Sequence, residues 1–438
     1  MAWIRRREKS LVEQSKKPVI HQSETYPQTI APRSNHRRVS SLEVMEPRVL
    51  MAADTLWVGG VYFEEDSGSD IHGDLFQITF RGGAAGTELT RVIIDGDQNT
   101  PGFGVGDVFF DTIEAGLGAD HAFPFRIVEL VTADPTAKVT ATVQDGSTRL
   151  VLDFENFRAG DKLIFEIDVD EVEDYDPAET DLTVINDGFD PITSGVEFQG
   201  SMFQAFFSAP HFVDASATGT FMNRYDSLLA GTGLDLPEDN FQGKRDRSTG
   251  VATSTQQVPL PVTLAGKVWV DNDLNLVQSS GERSLSSVRL DLYKKNNSGA
   301  FEFTGFYTTT DNNGRYSFGT NLKLMPGIYQ VRQTQPDGYF SVGAVPGSIT
   351  GRTDLSPIGT VAGNLDWLTE IEIPLGDLHA VDLNFAEAEP AEISGYVYSD
   401  PNDNGIRETG EIGLPGVTIR LEPITSLNNL GRTLTTVT

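Results

Sequence analysis

The chain has 438 residues, with 63 acidic against 33 basic side chains, a net charge of −30 and no cysteine. So acidic a body repels nucleic acid and anionic membranes and attracts divalent cations, and without thiols it has no disulfide framework. The length suffices for two or three cores, and no run of 18 apolar residues marks a transmembrane helix.

Residues 1–53 carry ten Lys or Arg against five Asp or Glu, so the rest of the chain holds a net −35. This segment is polar and lacks the apolar run of a secretory signal, and it is expected to be a disordered basic leader. At 41–54 the run SLEVMEPRVLMAAD resembles the LEPR-x-L-L leader motif of large surface proteins of planctomycete-type bacteria. Glu46, Pro47, Arg48 and Leu50 match, and Met51 departs from a second leucine. That resemblance implies export.

From 54 to 245, strand-like runs recur at 56–63, 75–81, 89–95, 125–133, 137–144, 148–154, 162–169 and 195–207. Gly, Asp and Pro separate them, and no long helical period appears. The pattern predicts an acidic β-sandwich of immunoglobulin or carbohydrate-module type. Asp95, Asp97, Asn99 and Asp107 begin a cation-loop pattern but lack a turn glycine and a closing acid, which favours a solvated turn. The run Asp161–Asp181 holds ten acids and one lysine and is expected to be a solvated strand end and loop. If this module binds a partner, exposed aromatics among Trp57, Phe109, Phe110, Phe203, Phe206 and Phe207 would mark the face. Residues 246–261 turn polar and Ser/Thr/Gln-rich with two prolines, the composition of a linker.

Two related segments follow. Asp400–Glu411 reads DPNDNGIRETGE and fits the calcium-loop pattern D-x-[DN]-x-[DN]-G-x5-E. Asp400, Asn402 and Asn404 offer side-chain oxygens, Gly405 the turn and Ile406 its carbonyl, and Glu408 and Glu411 complete the oxygen set that calcium requires. The flanks alternate with period two (Ile393, Gly395, Val397; Val417, Ile419, Leu421), so the loop joins strands rather than the helices of an EF-hand. A shift of 129 residues aligns Gly266, Asp271, Asn275, Gly281, Glu282, Leu285 and Val288 with Gly395, Asp400, Asn404, Gly410, Glu411, Leu414 and Val417. The earlier loop keeps Asp271, Asp273, Asn275 and Glu282, but Leu276 replaces the turn glycine and Ser279 the acid at position 9. The alternative for both loops is an Asx-rich turn held by its own backbone hydrogen bonds.

The blocks GKVWVDNDLN (266–275), SGERSLSSVRLDLY (280–293), TTDNNGRYSF (309–318), MPGIYQV (325–331) and QPDGYF (335–340), with SGYVYSDPNDNGIRETGEIGLPGVTIRLEP at 394–423, resemble the SdrD B-like repeat. That family is related to the Cna B-type domain of bacterial surface proteins. The resemblance implies a compact sandwich at 262–388 that binds calcium structurally and is strung in series on secreted proteins. It makes 391–438 a second, truncated repeat, because the strands that close copy one (316–318, 329–331, 381–385) have no counterpart before Thr438. The last 50 residues are accordingly expected to pack poorly. Cna B-type relatives can carry a Lys–Asn cross-link assisted by an acid. Lys267 and Asn384 stand on the first and last predicted strands, but Gln333 falls where the acid belongs, so Lys267 is expected to be an ordinary strand residue.

No nucleophile elbow, H-E-x-x-H, P-loop or dinucleotide fingerprint is present, and the six histidines are scattered. The expected fold is all-β: multidomain sandwiches, immunoglobulin-like or prealbumin-like, after a disordered basic segment. The expected role is a non-enzymatic extracellular or cell-surface spacer stiffened by calcium. The alternatives are adhesion through residues 54–245 to a polysaccharide or another surface protein and, last, an extracellular hydrolase with spatially paired carboxylates.

Overall fold

The computed structural model describes residues 55–64, 72–98, 102–192, 194–222, 247–361, 363–422 and 434–438. The leader and its motif at 41–54 lie outside them.

The first sandwich is built from β1 (Thr55–Phe63), β2 (Asp74–Gly82), β3 (Glu88–Asp95), β4 (Val108–Asp111), β5 (Arg126–Val131) and β6 (Lys138–Thr142). It continues with β7 (Arg149–Arg158), β8 (Lys162–Val172), β9 (Phe189–Pro191), β10 (Met202–Ser208), β11 (Ala215–Thr220) and β12 (Ser248–Gln256). One short helix, α1 (Leu182–Asn186), starts at Asp181, whose carboxylate accepts the Thr183 N–H. One sheet runs β12-β1-β2-β8-β4, with β5 and β9 also on β8, and the other runs β11-β10-β3-β7-β6. Alternation along the strands sends Leu163, Phe165, Ile167 and Val169 of β8 into a core shared with Val92, Ile94, Leu152 and Phe203 of the facing sheet.

Three expectations change here. The expected linker at 246–261 is a strand over 248–256, paired with β1 along its full length from Thr55↔Gln256 to Phe63↔Ser248. Its Ser and Thr read as linker composition, but β-branched Thr249, Val251, Thr253 and Thr255 suit a strand with one face near solvent. The first module therefore extends past 245, and only 257–262 connects the sandwiches. The acidic run 161–181 is not uniformly solvated, since Asp161, Asp168 and Asp170 are buried. Finally, Phe109, Phe110, Phe203 and Phe207 lie in the core, which leaves Trp57 and the half-buried Phe206 of the six candidate aromatics.

The second sandwich comprises β13 (Thr263–Val270), β14 (Arg289–Lys295), β15 (Phe301–Thr309), β16 (Arg315–Phe318), β17 (Gly327–Gln333) and β18 (Phe340–Val345). Then come β19 (Ser348–Ile349), β20 (Thr360–Val361), β21 (Trp367–Ile373), β22 (His379–Val381) and β23 (Asn384–Ala388). One sheet runs β18-β23-β13-β22-β19, with β16 on β13, and the other β15-β14-β17-β21-β20. The strands expected to close copy one are present as β16, β17 and β22–β23. On the outer face of the second sheet a guanidinium is clamped between rings: Arg332 lies 3.7 Å from Tyr293 and 4.0 Å from Trp367, and Tyr293 meets Phe303 at 5.4 Å. This stack crosses four strands and ties them laterally.

Beyond Ala388, β24 (Thr418–Leu421) pairs, among the described residues, only with β25 (Leu434–Val437). The strand expected at 393–397 does not form, and Ile393 and Tyr396 are 76% and 75% exposed. The equivalent β13 of copy one is held by β16, β22 and β23. Among the described residues nothing plays that part for copy two, so alternation without a partner strand gives no sheet.

Candidate metal centres

The loop at 271–282 leaves the end of β13. The Asp271 N–H donates to the Glu387 carbonyl of β23 (2.8 Å), so the first ligand residue is fixed to the sheet, and its side chain is fully buried. Its two carboxylate oxygens accept the Asn275 N–H (3.2 Å) and the Leu276 N–H (2.8 Å). Asn275 Oδ1 accepts from Val277 (2.7 Å), and Glu282 reaches back to accept from Asn272 (2.8 Å) and Ser279 (2.7 Å). These bonds wind the chain so that carboxylate oxygens of Asp271, Asp273 and Glu282 all lie within 4.8 Å of one another. Desolvation, then the contact with Asp271 and the charges of Glu282 and Asp271, hold the Asp273 pKa above its ordinary value. A cation among them would remove that repulsion.

The loop at 400–411 repeats most of this winding, except that Pro401 stands in place of Asn272 and has no N–H to give Glu411. Asp400 accepts from Asn404 (3.4 Å) and Gly405 (2.8 Å), Asn404 Oδ1 from Ile406 (2.7 Å), and Glu411 from Glu408 (2.9 Å). The side-chain amides of Asn402 and Asn404 donate to Glu408 at 2.9 and 3.3 Å, so Glu408 folds over the loop. Backbone angles match as well. Gly405 has φ 74° and Leu276, in its place, φ 64°; Asp403 has 55° and Leu274 has 58°. A leucine in the left-handed region is strained by about 1–2 kcal/mol. Loss of glycine has thus not changed the path of the first loop. The ten predicted ligand residues lie in two loops of similar path; both show the self-bonded Asx winding of the alternative, and in the first the carboxylates of Asp271, Asp273 and Glu282 also converge. The donor set, all oxygen with paired carboxylates, fits a hard cation.

A third acidic group was missed. Asp168 and Asp170 project from the outer face of β8, opposite the residues that enter the core, and Asp111 lies across from Asp168 on β4. All three are buried, and their carboxylate oxygens lie within 4.8 Å of one another. The cover is the chain from 112 to 123: Ala119 N–H donates to Asp170 Oδ2 (2.8 Å) and Asp168 N–H to the Phe123 carbonyl (3.0 Å). Gly118 passes so close that a Cβ there would sit 1.7 Å from Asp111 Oδ2. These buried acids can hold an ion. The only signal in the sequence was D-x-D on a strand, which puts two acids on one face, whereas Asp111 joins them through sheet register alone. Nearby Glu171 is pushed up to about 7 by burial and by Glu197, Glu173 and Asp190.

The other candidate cation loop, at 95–107, is a turn held by its own acids. Asp97 accepts the Gly102 N–H, and Asp107 accepts those of Gln98 and Gly104 (each 2.9 Å), so both serve a turn, but Asp107 is buried rather than solvated as expected, and Asn99 lies outside the described residues. In the second sandwich Gln333 and Gln335 donate to the buried Glu387 carboxyl, which burial and then Asp366 push up to about 7. Asn384 Oδ1 accepts the backbone N–H of Lys267 (2.9 Å) and so serves the β13–β23 contact.

Comparison with known proteins places the second sandwich. Residues 262–357 match the family model of the SdrD B-like domain. The serine-aspartate repeat-containing protein I of Staphylococcus saprophyticus is 28% identical over 220 residues, 48% of this chain and 11% of that protein. Protein D of the same name from Staphylococcus aureus (strain Newman) is 29% identical over 160 residues, 36% of this chain and 11% of that protein. The chain thus spans about a tenth of the length of these curated relatives. Among solved structures, the shaft pilin SpaA of Lactobacillus rhamnosus GG covers 37% of this chain and 60% of its own at 14% identity and TM-score 0.17. The major pilin SpaD of Corynebacterium diphtheriae covers 77% and 66% at 10% identity and TM-score 0.20. The chain carries an SdrD B-like domain and is homologous through it to the staphylococcal serine-aspartate repeat proteins.

Proposed function

We propose that this is a non-enzymatic, exported cell-surface or matrix protein, in which SdrD B-like sandwiches act as calcium-stiffened spacers for the N-terminal module. The observation that carries this is Leu276: the first loop keeps the left-handed turn of a calcium loop although its residue disfavours it. Calcium at 271–282 would bridge Asp271, anchored on β23, to Asp273 and to Glu282, eleven residues after Asp271. It would thus clip the β13–β14 connection in a sandwich that has no disulfide. The curated relatives are named for a serine-aspartate repeat, which fits a repetitive surface protein.

Thermal melting of the whole chain with calcium and with chelator tests this. A hundredfold excess of calcium over its Kd adds about 2.7 kcal/mol to the domain that holds it. The transition of the second sandwich should therefore rise by several degrees. An unchanged transition would sink the stiffening role.

A further inference from the structure

We infer that the two sandwiches are joined by a locked joint rather than a hinge, with His211 as the pin between them. The connection 257–262 reads Gln-Val-Pro-Leu-Pro-Val, and it is held at both ends and in the middle. At its start Gln257 is buried in the first sandwich, where Oε1 accepts the Ala84 N–H (2.6 Å) and Nε2 donates to Thr87 Oγ1 (3.0 Å). At its end Val262 is fully buried in the second core, and its N–H donates to the Leu324 carbonyl (2.8 Å). Pro259 and Pro261 fix φ between these anchors.

The middle is gripped by the β10–β11 loop of the first sandwich. Leu260 N–H donates to the His211 carbonyl and Val213 N–H to the Val258 carbonyl, each at 2.9 Å, a short ladder between loop and connection. The His211 side chain then crosses to the second sandwich, with Nδ1 2.8 Å from the carbonyl of Gly376 in the β21–β22 turn. A carbonyl only accepts, so Nδ1 carries the proton. His211 takes φ 70°, a conformation that non-glycine residues rarely adopt. Gly376 admits no side chain: a Cβ there would lie 2.3 Å from the His211 carbonyl oxygen and 2.6 and 2.7 Å from the Leu260 N and O. All of these are backbone atoms that cannot swing aside. Three segments, from the first sandwich, the connection and the second sandwich, therefore meet at one point with no slack. The joint stands whether or not the chain is a spacer and whether or not calcium binds.

The chain has no cysteine, so cysteines placed at exposed Lys138 and Asn321, one per sandwich, are the sole sites for spin labels. Pulsed-dipolar distance measurement on the full chain should give a single narrow peak. Gly376→Val should broaden that peak at least twofold, and His211→Ala by less. The melting transitions of both sandwiches should stay in place, which separates a loosened joint from an unfolded domain. A broad distribution in the parent protein, or an unchanged width in both variants, would overturn the locked joint.

Discussion

The two loops offer a comparison within one chain: the same winding, one set against a packed sandwich and one almost wholly in solvent. The loop at 400–411 has the better residues, with glycine at the turn and Glu408 at position 9, yet most of its residues are exposed. The loop at 271–282 has lost that glycine and that acid, but Asp271 is fully buried and tied to β23. A loop backbone can evidently be specified locally, by Asx side chains that accept N–H groups four and five residues on. What a bound ion can stabilise depends instead on the core behind the loop.

The comparison can be broken in four places, taken from the largest expected effect. Asp271→Ala strands the Asn275 and Leu276 N–H groups beside a buried site and should destabilise the second sandwich by about 3 kcal/mol in calcium. A melting temperature equal to the parent's would show that the first loop does not support its sandwich. The second effect is a pH dependence peculiar to the first loop's support. Folded Glu387 keeps its proton up to about pH 7, whereas its ordinary value is 4.5. The folded state thus binds the extra proton between these values, and the resulting stability is complete below about 4.5 and lost as pH rises through 7. In chelator, the transition of the second sandwich should fall across that window, and Glu387→Gln should flatten the slope. A slope that persists in the variant would assign the dependence to other acids.

Smaller is Leu276→Gly. Relief of left-handed strain, about 1–2 kcal/mol, is offset by about 0.5–1 kcal/mol of chain entropy, leaving a gain of about 0–1.5 kcal/mol in chemical denaturation. A loss would mean that the Leu276 side chain, exposed but lying against Gly343, matters more for packing than its backbone strain suggests. Smallest is Asp400→Ala, which should leave the main melting transition within about 0.5 kcal/mol of the parent. A larger shift would reveal a core behind the second loop that the described residues do not show.

Much of this molecule could be read in order along the chain. Seven of the eight strand-like runs of the first module fall on β1, β2, β3, β5, β6, β7 and β8, because alternation is a local signal. The eighth, 195–207, is a strand only from Met202, since glycines at 195 and 200 approach other backbone or side-chain atoms. β4 and β9 were too short to carry a pattern, and β12 was hidden by its Ser and Thr. The family blocks and the 129-residue repeat located the second sandwich and both loops.

The sequence by itself determined the all-β class, the position of the repeat and the winding of both loops, since each depends on residues a few positions apart. Tertiary structure alone decided which acids share a buried site, because Asp111 meets Asp168 only through the register of β4 on β8. It also decided that Asp271, not Asp400, has a core behind it. Where the two sandwiches join was fixed the same way, by contacts of His211 with Leu260 and Gly376, up to 165 positions apart. Local pattern encodes conformation, whereas burial and charge crowding are properties of neighbours in space.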